Sequence, residues 1–260
     1  MGQDFLTSKL ETLNRLAEQR SVDEVMLSAL SEIGAKAVFT TSFGAEDQVI
    51  THFIAEKNLP VDLITLDTGR LFNETLDTFE KTEKKYGTIV KVLFPDPNDV
   101  EAYVNKNGIN AFYNSVELRK ECCRIRKIKP LERGLKGYGI WITGLRADQS
   151  ENRSHMNFFE WDERFSIVKV NPLLHWQFKE VMDFVHANFV PYNLLHDQGF
   201  VSIGCAPCTR AIGEGEDFRA GRWWWESAAD GKKECGLHPH GENPVAISFL
   251  RNETFGQKIL

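Results

Sequence analysis

The tightest constraint on the fold is a unit repeated through the first half of the chain. A short β-rich run ends in a turn, and a stretch with helical spacing follows. Ala37–Phe43 (AVFTTSF) reads as a strand stopping at Gly44, and Ala45–Lys57 spaces Val49, Ile50, Phe53 and Ile54 on one helical face. Val61–Gly69 (VDLITLDTG) reads as a second strand, followed by a helix over residues 71–87 closed by Gly87. The segment TIVKVLFP (residues 88–95) reads as a third strand stopped by Pro95. Helices around Asp99–Lys106 and Glu117–Leu135 lead to a fourth strand, Tyr138–Leu145. Strands alternating with helices require crossover connections, so the pattern predicts an α/β fold with a doubly wound, mostly parallel sheet.

The pattern then changes. Residues 157–174 read as a hairpin, and WQFKEVMDFVHANF (residues 176–189) as a helix. Beyond Cys208 periodicity fades and Gly, Arg and Trp become frequent, so Asp217–Leu260 reads as a tail capping the core and not as a second domain. The sequence shows no internal repeat and no low-complexity linker.

Of 260 residues, 42% are hydrophobic and 26% charged, with a formal net charge of −6. That balance fits a globular protein and argues against nucleic-acid binding by global positive charge, though a local basic cleft for a small anion remains compatible. No segment approaches the run of about 18 apolar residues that a membrane span needs. Acidic residues near the N-terminus and no apolar run there argue against a signal peptide. A reducing cytoplasm is expected, where closely spaced cysteines more often bind metal or do redox chemistry than form structural disulfides.

Three strand ends carry turn motifs. TTSFGAEDQ (Thr40–Gln48) joins the first strand to the first helix of the repeat, where Gly44, the helix N–H groups and the Ser42 hydroxyl suit a phosphate. LDTG (Leu66–Gly69) ends the second strand, and open α/β sheets bind ligands beyond such ends. TGLRADQSENR (Thr143–Arg153) follows the fourth with Arg146 and Arg153, whose planar donor forks suit phosphate or sulfate. In isolation each is also an ordinary polar turn. DFRAGRWWWE (Asp217–Glu226) sets Arg219 and Arg222 beside three tryptophans, compatible with nucleotide stacking or with core packing.

Five cysteines remain. Cys122–Cys123 and the C-x-x-C pair Cys205/Cys208 supply four thiolates. Adjacent cysteines are awkward ligands for one tetrahedral zinc, whereas an iron–sulfur cluster spreads its ligands over separate irons. Cys235, in KKECGLH, is left over. Lys232 and Lys233 beside it favour a thiolate, Glu234 opposes them, and His238 follows closely.

Taken together, TTSFGAEDQ, LDTG, ECCRIRKIKPL, TGLRADQSENR, GCAPCTR, RAGRWWWE and KKECGLH resemble the assimilatory adenylyl-sulfate (APS) reductases, the iron–sulfur branch of the APS/PAPS reductase family, over roughly Ala37 to His238. The resemblance implies an adenine-nucleotide α-hydrolase-like (pyrophosphatase-loop) fold. Residues 1–216 would form the nucleotide- and cluster-binding domain, and 217–260 a mobile catalytic tail. Cys122, Cys123, Cys205 and Cys208 would ligate one [4Fe–4S] cluster, with Lys127 between cluster and substrate. Ser42, Gly44, Leu66, Asp67, Gly69, Arg146, Arg153, Arg219 and Arg222 would bind substrate. Cys235, assisted by His238, would attack the sulfur of APS, releasing AMP. Thioredoxin or a similar dithiol would then release sulfite, in sulfate assimilation and cysteine biosynthesis. A homo-oligomer is compatible. The implied rivals are PAPS or dual APS/PAPS specificity, a tRNA-thiolating pyrophosphatase-loop enzyme, and an iron–sulfur redox sensor.

Overall fold

A computed structural model describes residues 3–149, 153 and 155–226. Its centre is a six-stranded sheet formed by β1 (Ala37–Thr41), β2 (Val61–Leu66), β3 (Val90–Leu93), β4 (Ile140–Ile142), β5 (Phe159–Asp162) and β6 (Ile167–Val170). The strand order is β3-β2-β1-β4-β6-β5, and every pairing is parallel except β5 with β6. The expected parallel sheet and terminal hairpin are both present. The chain leaves β1 toward β2 on one side and returns to β4 on the other, so a crevice opens beyond the carboxyl ends of β1 and β4.

Helices cover both faces, as doubly wound sheets require. On one face α1 (Gln3–Ala17), α2 (Val22–Ile33), α3 (Ala45–Glu56) and α8 (Phe178–Ala187) bury Phe39, Leu63, Ile140 and Ile142. On the other, Leu131 and Leu135 of α7 (Lys129–Leu135) pack on Val38, Ile64 and Trp141. Neighbouring strand residues thus enter opposite cores, which is why these strands read as continuous apolar runs.

Helix ends follow local chemistry. Ser21 and Glu24 form a capping box at the start of α2, and Gly34 ends it in a left-handed conformation. α4 (Asn73–Tyr86) stops at Gly87, also left-handed. Asp96 caps α5 (Pro97–Asn107), accepting from Asn98 N at 2.9 Å. The single helix expected over Glu117–Leu135 is interrupted. α6 (Val116–Cys123) ends at the double cysteine, a π-turn spans Arg124–Ile128, and α7 follows. Pro130 has no N–H for the Arg126 carbonyl and its ring crowds that oxygen, so the preceding turn widens.

The outer edge of β5 would offer unpaired backbone groups. Asn14 of α1 covers it: its Nδ2 donates to Phe159 O at 2.9 Å, and its Oδ1 accepts from Phe159 N at 2.8 Å. Asn14→Ala leaves both groups of buried Phe159 unpaired. The expected loss of stability is about 1–3 kcal/mol in denaturant melts; an unchanged midpoint would mean that water replaces the side chain.

Candidate active site

A cavity of about 240 Å³ lies at the β1/β4 crevice, lined by the ends of β1, β2 and β4 together with residues 201–205, Phe218, Arg219, Arg222 and Trp223. Ser42 and Gly44 line it. The left-handed residue of the β1 turn is Phe43 (φ 60), while Gly44, the N-cap of α3, has an ordinary φ of −67. Phe43 is tied down by stacking on Phe79 at 4.8 Å. Ser42 donates through both its backbone N (2.5 Å) and its Oγ (2.7 Å) to Asp47 Oδ2, so the serine organises the turn through Asp47. Burial pushes the Asp47 carboxyl up to about 7 against the lowering effect of those Ser42 bonds, with nearby Glu46 adding to the rise. A Cβ on Gly144 would fall 2.1 Å from Asp47 Oδ1, so only glycine lets the β4 turn close on α3.

The β2 turn is built by its own side chains. Asp67 Oδ1 accepts from Gly69 N at 2.8 Å, and Gly69 takes φ 70, a region costly for other residues. Leu66 and Thr68 line the cavity; Asp67 and Gly69 shape the turn behind them. Thr68 Oγ1 lies 3.3 Å from Cys205 Sγ, Arg126 Nη1 donates to Thr68 O at 2.7 Å, and Ala206 N donates to Arg70 O at 2.8 Å. The second strand end is thereby fastened to the C-x-x-C segment.

The arginines divide by environment. Arg146 is fully buried, donating from Nε to Glu46 Oε1 at 2.9 Å and from Nη1 to Asp148 and to Trp176 O. It lies outside the cavity lining and braces the β4 turn against α3. Gln149 Nε2 also donates to Glu46 Oε1 at 2.9 Å, and its Oε1 accepts from Arg153 Nη1. Arg153, Arg219 and Arg222 line the cavity. The Arg222 Nε is buried without a hydrogen-bond partner, as a group reserved for an anion would be. Sequence spacing singled out neither His196 nor Trp141, which also line the cavity together with Phe218 of the DFRAGRWWWE motif.

A second, smaller cavity adjoins the first and is lined by all four paired cysteines. Cys122 and Cys123 end α6, while Cys205 and Cys208 flank a short 3-10 turn, Ala206–Cys208. None of the four is in a disulfide. Arg70, Arg119, Arg126, Lys127 and Arg222 line the same space. Burial alone would raise the Cys205 thiol, but Lys127, the Thr68 hydroxyl, Arg222 and Arg126 outweigh it and bring its pKa down. Cys208 is pushed up to about 12, chiefly by burial and then by Cys205. Lys127, Cys205, Arg222 and Trp223 line both cavities and form their common wall. Among the described residues no group of Cys, His, Asp or Glu is gathered as a single ion would require. Cys235 and His238 lie outside the described residues.

Folding keeps Asp47 protonated up to about pH 7, while in the unfolded chain it ionises near 3.8. The folded state therefore holds the extra proton between those values, and this group's contribution to stability falls as pH rises through that window. Asp47→Asn removes the dependence. Relative to the parent, the variant should gain roughly 2–4 kcal/mol on going from pH 4 to pH 8 in denaturant melts. Parallel pH profiles for the two proteins would refute a strained Asp47 carboxylate.

Residues 36–211 match the family model described as the phosphoadenosine phosphosulfate reductase domain. The chain is 45% identical over 244 residues to an adenosine 5′-phosphosulfate reductase of Agrobacterium fabrum, covering 91% of this chain and 93% of that one. It is 52% identical over 201 residues to the enzyme of the same name from Allochromatium vinosum, covering 77% and 78%. Among solved structures it resembles a phosphoadenylyl-sulfate (PAPS) reductase from Candida auris in a phosphate complex, with TM-score 0.67 and 29% identity over 82% of this chain and 98% of that one. The sheet order, the crevice and these matches agree: the chain belongs to the phosphoadenosine phosphosulfate reductase domain family.

Proposed function

We propose that this protein is an adenylyl-sulfate reductase that converts APS to sulfite and AMP through a covalent intermediate on Cys235. The carrying observation is the common wall: the crevice at the β1/β4 switch point shares Lys127, Cys205, Arg222 and Trp223 with the four-cysteine cavity. The names of the Agrobacterium and Allochromatium relatives support APS as the substrate.

The Cys235 thiolate attacks the sulfur of APS. The new S–S bond forms as the S–O bond to the phosphate breaks, and AMP leaves with that electron pair. Lys127, Arg219, Arg222 and Arg153, all on the cavity wall, offset the charge of the phosphosulfate and of the departing phosphate. His238 orients the sulfate end. A thiolate of thioredoxin or a similar dithiol then attacks the Cys235 sulfur and expels sulfite. Its second thiol closes a disulfide and returns Cys235 as a thiol, the dithiol supplying both electrons. Such chemistry suits a reducing cytoplasm, and among the described residues no helix is long and apolar enough to cross a membrane.

The cysteine cavity fits a [4Fe–4S] cluster held by Cys122, Cys123, Cys205 and Cys208. None of the four thiols is in a disulfide, five cationic side chains line the space they share, and the buried Trp223 Nε1 lacks an acceptor that sulfur would provide. When bound, the cluster supplies fixed negative charge beside Lys127, which tunes the wall that the anionic substrate meets.

Intact-protein mass after mixing with APS, with no thiol present, tests the reading. One sulfonate should appear, be absent in Cys235→Ser, and be removed by thioredoxin. An adduct formed mainly with PAPS would keep the mechanism and change the substrate. No adduct with either would reject it.

A further inference from the structure

The segment bearing Arg219 and Arg222 has no helix or strand of its own, yet its end is held by a buried charge pair. Arg119 Nε and Nη2 donate to the two carboxylate oxygens of Glu226, each at 2.8 Å. The side chains are 1% and 5% exposed. A bidentate pair this deep fixes position as well as energy. Arg119 stands three and four residues before Cys122 and Cys123 on α6, on the helix face they share, and lines the cysteine cavity with them.

Between Arg222 and Glu226 the backbone is strained. Trp223 takes φ 44, unfavourable for a bulky residue, and is 1% exposed. Its ring is flanked by the guanidinium groups of Arg119 at 4.6 Å and Arg222 at 4.8 Å. Its backbone N donates to Cys208 O at 3.3 Å, and Glu226 N closes the turn on Trp223 O at 3.0 Å. Such a conformation persists only where the surroundings over-determine it. The ion pair pins the far end of this turn, while Arg222 and Trp223 form part of the wall between the cavities.

We propose that Arg119 and Glu226 are positioning residues for the substrate's anionic group: their ion pair fastens the 219–226 turn to the cysteine-bearing helix and thereby holds Arg222 at the common wall. The inference rests on the nucleotide reading above. It predicts that loosening the pair harms recognition of phosphate and spares recognition of the nucleoside.

Adenosine and AMP binding, measured side by side by calorimetry on the full chain as purified, separates these effects, with iron content as a control. Glu226→Gln should weaken AMP at least about tenfold and adenosine less than about threefold, because Arg119 keeps its charge but loses its partner. Glu226→Asp should recover most of the loss. Arg119→Lys should act like Glu226→Gln but less strongly, since an ammonium cannot reproduce the fork; it carries the comparison if Glu226→Gln fails to fold. Equal weakening of both ligands, or no change in either, in a variant that retains its iron would overturn the proposal. Wild-type protein that binds no AMP would remove the nucleotide reading itself, whereas normal wild-type binding with an unchanged variant removes this inference alone.

Discussion

The structure turns on the join between the β2 turn and the C-x-x-C segment. The Thr68 hydroxyl lies 3.3 Å from Cys205 Sγ, and the Ala206 amide donates to the Arg70 carbonyl. A strand end of the β1/β4 crevice and half of the cysteine set are therefore one unit. Arg126 adds the other half: it follows the double cysteine by a few residues and donates to Thr68 O at 2.7 Å. Without this join the two cavities would be unrelated features of a common fold. With it, Lys127 and Arg222 face both at once.

Charge is distributed to serve that wall. The chain is acidic overall, yet the region around the cysteines concentrates arginine and lysine. Arginine performs several tasks here. Arg146 is spent on Glu46 and the β4 turn, Arg119 on Glu226, and Arg126 on the Thr68 carbonyl. Arg153, Arg219 and Arg222 line the crevice. A buried guanidinium with a carboxylate is a brace, and one at a cavity wall can meet an anion.

The fold was largely legible because β1 and β4 are buried along their length and read as apolar runs, while the helix after β2 shows its end in Gly87. Strand ends, and hence the crevice, followed from that alternation. The sequence reading runs one helix through Glu117–Leu135, whereas the structure interrupts it after Cys123 with a π-turn ahead of Pro130. What stayed hidden is what joins distant segments: Asn14 with Phe159, Arg119 with Glu226, and His196 with the crevice. Such pairings leave no periodic trace. The motif arginines were legible as a group, but their separate tasks depend on which carboxylate each one meets in the fold.

The central claim is that Lys127 and Arg222 stand between a nucleotide site and a four-cysteine metal site. A crystal structure with bound AMP, with iron located by its anomalous scattering, tests this directly. The account predicts iron in the cavity bounded by Cys122, Cys123, Cys205 and Cys208, AMP in the β1/β4 crevice, and the Lys127 ammonium between iron and phosphate. Iron bound elsewhere, or AMP outside the crevice with Lys127 turned away from it, would contradict it.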